Sequence, residues 1–315
     1  MKETIRVENL TKKFGSFTAL DDLTLSVNAG EIFGIVGPDG AGKSTLMRLL
    51  TAIMDPTSGE AWVSGHHVVR EAEAVKENIG YMSQRFGLYE DLSVMENIRF
   101  YADIYSVPRK RRDEKIARLL SFSKLTPFKK RLAGNLSGGM KQKLGLVCAL
   151  IHTPKVLFLD EPTNGVDPVS RREFWYILDQ LLRQNVTIFL STAYLDEAER
   201  CHRIGLFHKG RLLTSGPPHD VKKLMRGSII QVRTLQPRKA FHLLRNRRGA
   251  EWVNLFGDRV HVVSEHPEET IGEIEADLGS SGIQTLGIRI MEPGLEDIFI
   301  SVLANEKRVP AHADR

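Results

Sequence analysis

The chain opens with short stretches of alternating apolar and polar residues, at 5–7 and 23–27, separated by turn residues at Gly15 and Asn28-Ala29-Gly30. Side chains of an extended chain point alternately to opposite faces, so this alternation predicts half-buried strands. Ile32-Phe33-Gly34-Ile35-Val36 is instead continuously apolar, which predicts a strand covered on both faces. A glycine-rich loop follows, and residues 44–54 carry leucines at helical spacing. From about Phe86 to residue 152 the pattern is helical, with Ser93 placed to cap a helix holding Met95, Ile98 and Tyr101. Strand patterns return at 156–159 and 186–190, with helices predicted at 171–182 and 195–200. This alternation predicts an α/β domain: a mainly parallel sheet with a helical insertion and an N-terminal antiparallel β part.

The register breaks at Gly216-Pro217-Pro218, a candidate domain boundary. Beyond it the order is strand (228–233), helix (238–246), strands (252–255 and 260–263), helix and strand (284–290), with a last helix from Leu295. That order predicts a small α+β domain of split-βαβ, ferredoxin-like type. The expected organisation is a domain at 1–218 with a helical subdomain at about 86–153, an accessory domain at 219–305, and a frayed tail at 306–315 containing Pro310.

Composition narrows the function classes. In 315 residues, 42% are hydrophobic and 26% charged, the balance of an ordinary globular chain. No apolar run approaches the roughly 18–20 residues that span a bilayer. The start Met1-Lys2-Glu3-Thr4-Ile5-Arg6 lacks the apolar core of a signal peptide, so the expected location is the cytosol. Cys148 and Cys201 are too few for a disulfide framework and have no metal-ligand spacing. A net charge of +5 tolerates an anionic partner without requiring nucleic acid.

The chemistry lies in the loop after the apolar strand. Gly37-Pro38-Asp39-Gly40-Ala41-Gly42-Lys43-Ser44-Thr45 fits G-x-x-x-x-G-K-[ST], the phosphate-binding Walker A loop. Glycines let the backbone close around phosphate oxygens, and successive N–H groups and a helix N-terminus then converge on the anion. Lys43 adds a point charge for the outer phosphates, and the Ser44 hydroxyl suits Mg²⁺. Val156-Leu157-Phe158-Leu159-Asp160-Glu161 is an apolar strand ending in two acids, as in a Walker B motif. Asp160 is then a candidate Mg²⁺ ligand, and Glu161 a candidate general base for an attacking water.

Leu136-Ser137-Gly138-Gly139-Met140-Lys141-Gln142 resembles the LSGGQ signature of ABC ATPases, with Met140 where glutamine is commoner. The resemblance covers residues 1 to about 218. It implies ATP and Mg²⁺ as cofactors, and a head-to-tail pairing with a second ATPase domain. There Ser137, Gly138 and Gly139 would reach the ATP held by the other subunit's Walker A loop. It places Phe14 beside adenine, Gln84 near Mg²⁺ or the attacking water, and Asp167 in the D-loop Asn164-Gly165-Val166-Asp167. It also implies an integral-membrane permease as partner, peripheral attachment at the cytoplasmic face of the membrane, and no direct nucleic-acid contact. Pro293-Gly294-Leu295-Glu296-Asp297-Ile298-Phe299 resembles a C-terminal motif of exporters of the drug-efflux type, whose permease is a separate chain. The alternatives are a soluble ABC ATPase acting on nucleic acid or ribosomes, and a slow-turnover regulatory module.

Three further positions depart from the family. Ala193 stands where a histidine is usual, Asn164 where serine is usual, and Asp39 where asparagine is usual. Alanine cannot hydrogen-bond a γ-phosphate, so slow hydrolysis or a substitute group is expected. The extra carboxylate of Asp39 is tolerable if it points toward a partner subunit. Residues 85–89, with Phe86 and Tyr89, are a candidate seat for a permease helix or else packed loop. The basic residues Arg109 to Arg112 and Lys129 to Arg131 read as a solvated face or a contact to anionic headgroups.

Overall fold

The computed structural model describes residues 3–85, 87–224, 227–249 and 252–306. Phe86 and the expected tail beyond residue 306 lie outside the described residues. The chain forms two compact units, Met1–Pro217 and Pro218–Arg315.

The first unit begins with β1 (Glu3–Phe14) and β2 (Phe17–Asn28), each twelve residues long and paired antiparallel. They are far longer than the short runs legible in the sequence, because register shifts near Leu10 and Lys12 interrupt the alternation. With β4 (Ser58–Val63) and β5 (His66–His67) they form a four-stranded sheet ordered β2-β1-β4-β5.

The central sheet is built from β3 (Ile32–Val36), β6 (Ile79–Met82), β7 (Val156–Asp160), β8 (Thr187–Thr192), β9 (Arg203–His208) and β10 (Arg211–Gly216), in the order β10-β9-β3-β8-β7-β6. All neighbours are parallel except the β9–β10 hairpin. β3, β7 and β8 are buried along their whole length, in keeping with the apolar residues at 32–36, 156–159 and 188–190.

Helices α1 (Lys43–Leu50), α2 (Ala72–Asn78), α6 (Pro168–Arg183) and α7 (Leu195–Ala198) belong to this layer. The first of these is shorter than the expected 44–54, because Ala52 takes a left-handed φ of 55° that no helix continues through. Between β6 and β7 come α3 (Val94–Ile104), α4 (Arg109–Phe122) and α5 (Gly138–Leu150). They pack around their own cluster of Val94, Ile98, Ile116, Leu120, Leu144 and Val147. Ser93 and Glu96 cap α3 reciprocally, at 3.2 and 2.8 Å.

The second unit runs α8 (Pro218–Lys222), β11 (Ser228–Thr234), α9 (Pro237–Arg248), β12 (Val253–Phe256), β13 (Arg259–Ser264), α10 (Pro267–Ser280), β14 (Thr285–Met291) and α11 (Leu295–Glu306). Its sheet is antiparallel, ordered β12-β13-β11-β14, the strand order of a ferredoxin-like βαββαβ unit. Ile230, Val232, Val260, Val262, Leu244 and Ile274 form its core.

Candidate active site

The site sits at the carboxyl ends of parallel strands, where open α/β sheets bind ligands. β3 ends at Val36, and the chain turns through residues 37–42 into α1. A Cβ on Gly37 would lie 2.3 Å from the carbonyl oxygen of Phe207 on β9. Gly42 has φ 102°, and its Cβ would lie 2.6 Å from the Ala19 oxygen. Both glycines are therefore dictated by backbone packing as well as by any ligand. Pro38, Asp39 and Gly40 form an exposed lip, while Ala41 is buried. Lys43 is only 5% exposed, and its ammonium donates to the oxygens of Gly37 at 2.7 Å and Pro38 at 3.1 Å. Ser44 and Thr45 follow on the first turn of α1, half-buried.

The acids arrive from β7. Asp160, 3% exposed, accepts from Ser44 Oγ at 3.1 Å and from Ser191 Oγ at 2.6 Å, which ties β7 to both α1 and β8. Its charge and local burial push the neighbouring Tyr81 phenol up to about 12, burial being the larger cause. Glu161 leaves the strand with φ 49°, a left-handed conformation costing a non-glycine residue of order 1 kcal/mol or more. Its N–H stays pinned to Ser191, at 2.9 Å to Oγ and 3.2 Å to O. This turn brings Oε1 within 3.4 Å of the Lys43 ammonium. Gln84, just past β6, donates to Oε2 at 2.9 Å, and Asn164 donates to the same oxygen at 3.2 Å. Lys43, Ser44, Gln84, Asp160 and Glu161, from three distant segments, thus form one connected group.

A second group forms around the start of α5. Ser137 caps that helix through Met140 N at 3.4 Å. A Cβ on Gly139 would lie 2.4 Å from Ser170 Cβ and Oγ, and one on Gly138 would be 4.0 Å from the Gly165 oxygen. The carboxylate of Asp167 caps α6, accepting from Val169 N at 3.0 Å and Ser170 N at 2.9 Å. Ser170 holds this carboxyl below the usual range, through its side chain first and its N–H second. The signature helix and the D-loop are therefore packed on one another, with Asn164 as the residue that reaches the Glu161 carboxylate.

Phe14 is 47% exposed at the end of β1, with the Lys12 ammonium 5.2 Å from its ring centre. That exposure leaves its ring outside the core. Ala193 is exposed beyond β8, and Tyr194 beside it turns its hydroxyl to Asn164 Oδ1 at 3.4 Å. The ring of Tyr194 lies under the Arg171 guanidinium, 4.3 Å away. Beneath this loop Glu197, 1% exposed, accepts from Thr163 Oγ1 at 2.5 Å and Thr192 Oγ1 at 3.0 Å.

The family description "ABC transporter" fits residues 20–164. The "Probable multidrug ABC transporter ATP-binding protein YbhF" of Escherichia coli (strain K12) is 49% identical over 71% of this chain. The chain spans only 39% of that relative's length. The "Daunorubicin resistance ATP-binding protein DrrA3" of Streptomyces coeruleorubidus is 34% identical over 97% of this chain and 97% of its own. The chain belongs to the ABC transporter ATP-binding proteins. The solved dimeric structure of a bacterial ABC transporter cassette matches with a TM-score of 0.62 and 25% identity, over 68% of this chain and 98% of that one.

In this ABC cassette the oxygen donors Ser44 and Asp160, held 3.1 Å apart, suit a hard divalent cation such as Mg²⁺. Gly37 and Gly42 admit no side chain, which leaves a backbone cradle of the kind a triphosphate needs. Ser191 was not anticipated, although it fixes Asp160 and Glu161 together. A hydroxyl at the end of the apolar stretch 186–190 was its only sequence signal. Asn164 was legible as a departure, but its contact with Glu161 was not, because a loop's course is not written in its residue types.

Proposed function

We propose that the chain is the ATP-hydrolysing subunit of an exporter, coupling ATP-driven closure of a pair of cassettes to a separate membrane permease. The observation that carries the hydrolytic part is the Glu161 carboxylate, held by Lys43, Gln84 and Asn164 within the same group as Ser44 and Asp160. In this reading residues 37–45 wrap the phosphates and Lys43 moves its charge from the Gly37 and Pro38 oxygens to the outer phosphates. Gln84 and Asn164 orient Glu161, whose free oxygen lone pairs accept a proton from the attacking water. Ser44 and Asp160, with Gln84, would hold Mg²⁺, which neutralises charge on the triphosphate when bound. Phe14 is exposed and so available to stack on adenine.

The exposed ends of Ser137 and Gly138 favour an approach by a second cassette, in keeping with the dimeric relative of known structure. The names of the multidrug and daunorubicin-resistance relatives support export. Among the described residues no helix is long and apolar enough to cross a membrane, so a permease would have to supply the path and the attachment to the cytoplasmic face.

The deciding experiment uses a Glu161→Gln variant. Its steady-state turnover is expected to fall by about 10²–10⁴, while ATP moves its size-exclusion peak to that of a dimer. Parent-like turnover would remove Glu161 as the base, and a peak unmoved by ATP would remove the paired-cassette reading.

A further inference from the structure

One face of the second unit's sheet gathers three arginines, Arg233, Arg259 and Arg289. Alternate residues of β11 and β13, Ile230, Val232, Val260 and Val262, point into the core. Their neighbours Gln231, Arg233, Arg259 and His261 therefore share the opposite face. The register places Arg233 directly opposite Arg259, and Gln231 opposite both His261 and Arg289. Facing residues in an antiparallel pair lie roughly 5 Å apart at Cα. Arg233, Arg259 and Arg289 line one open groove of about 310 Å³, which Gly287, with nothing within 4 Å of a would-be Cβ, leaves unobstructed.

Among the described residues the charges there are not balanced. Arg233 has no side-chain partner among the described residues. Arg259 has only Asp258, 3.5 Å away and 70% exposed, a contact worth little in water. Asp297 faces this sheet but is engaged by His261 Nδ1 at 3.0 Å and Gly294 N at 3.0 Å. Like charges directly opposite one another weaken a strand pair. The arrangement is nonetheless built: Gln231, 1% exposed, accepts from Arg289 Nε at 3.0 Å and meets His261 Nε2 at 3.1 Å. That buried amide fixes one guanidinium at the edge of the groove. Guanidinium forks on three adjacent strands match the several oxygens and multiple charge of a phosphate better than a single carboxylate.

From this we propose that Arg233, Arg259 and Arg289 bind a phosphate-bearing anion, separate from the nucleotide site. The phosphate belongs either to a soluble phosphorylated molecule or to a lipid headgroup. Residue-resolved phenylglyoxal modification of the full chain, read by mass spectrometry, tests it and is blind to phosphate bound at residues 37–45. Inorganic phosphate at ten times its dissociation constant should slow modification of these three arginines about tenfold, leaving the exposed Arg238 on α9 unchanged. Slowing by inorganic phosphate in free solution assigns a soluble ligand. Slowing by phosphatidylglycerol vesicles, absent with phosphatidylcholine vesicles and with inorganic phosphate, assigns a headgroup. An Arg233→Gln, Arg259→Gln variant should lose the protection at Arg289. No slowing in any arm, or the same slowing by sodium chloride at matched ionic strength, overturns the proposal.

Discussion

Ala193 and Asn164 depart from the family separately in sequence, yet Tyr194 joins them in space. Its hydroxyl meets Asn164 Oδ1, and the Asn164 amide meets Glu161 Oε2. The pair therefore helps hold the carboxylate. Single hydrogen bonds of this kind contribute about 0.5–1.5 kcal/mol, so Tyr194→Phe should lower kcat roughly two- to tenfold with KM unchanged. Asn164→Ala should cost at least as much; parent-like kcat in both variants would show that Glu161 needs neither. Ala193→His should raise single-turnover hydrolysis, and an unchanged rate would mean the missing imidazole is not limiting.

His152 supplies a pH prediction. Its ring stacks on Tyr105 at 3.9 Å, Nε2 lies 2.8 Å from the Ile79 oxygen and Nδ1 has no partner, so the neutral ring is favoured. Burial, the largest cause, holds its pKa below the ordinary value of 6.5, with Lys115 adding to the shift. The folded chain then binds fewer protons than the unfolded one as pH falls below 6.5, and stability is lost through that window down to the depressed folded value. Urea midpoints should drop between neutral pH and pH 5, with a shallower drop in His152→Phe. An identical slope in the two proteins would assign the effect elsewhere.

The contact between α5 and α6 sets where the signature residues can point. Gly139 touches Ser170 so closely that any Cβ displaces one helix from the other. Gly139→Ala should destabilise the first unit by about 1–3 kcal/mol, and Ser170→Gly in the same chain should restore part of the loss. Thermal unfolding of the single and double variants measures this; no recovery would mean the strain is relieved in another direction. Ser93 in the α3 capping box was legible because Ser and Glu three apart before an apolar run carry their own local signal. The lengths of β1 and β2 were not legible, because bulges break the two-residue period on which a strand is recognised.

Each of the two units has its own apolar cluster and its own sheet. A chain ending after Pro217 should accordingly keep its ATP affinity within a factor of about two to three. A larger loss in equilibrium binding would show that the second unit supports the phosphate loop.

What the sequence determined alone was whatever depends on near neighbours: the apolar runs of β3, β7 and β8, the glycine-rich loop with Lys43 and Ser44, the paired acids, the signature helix start, and the βαββαβ order after Pro218. These are set by side-chain period, backbone freedom and capping over a few residues. Only the tertiary structure decided that Ser191 clamps Asp160 and Glu161, that Asn164 and Tyr194 reach the carboxylate, and that Arg233 faces Arg259. Those contacts join segments tens of residues apart, and strand order and register fix them, not the chemistry of any one segment.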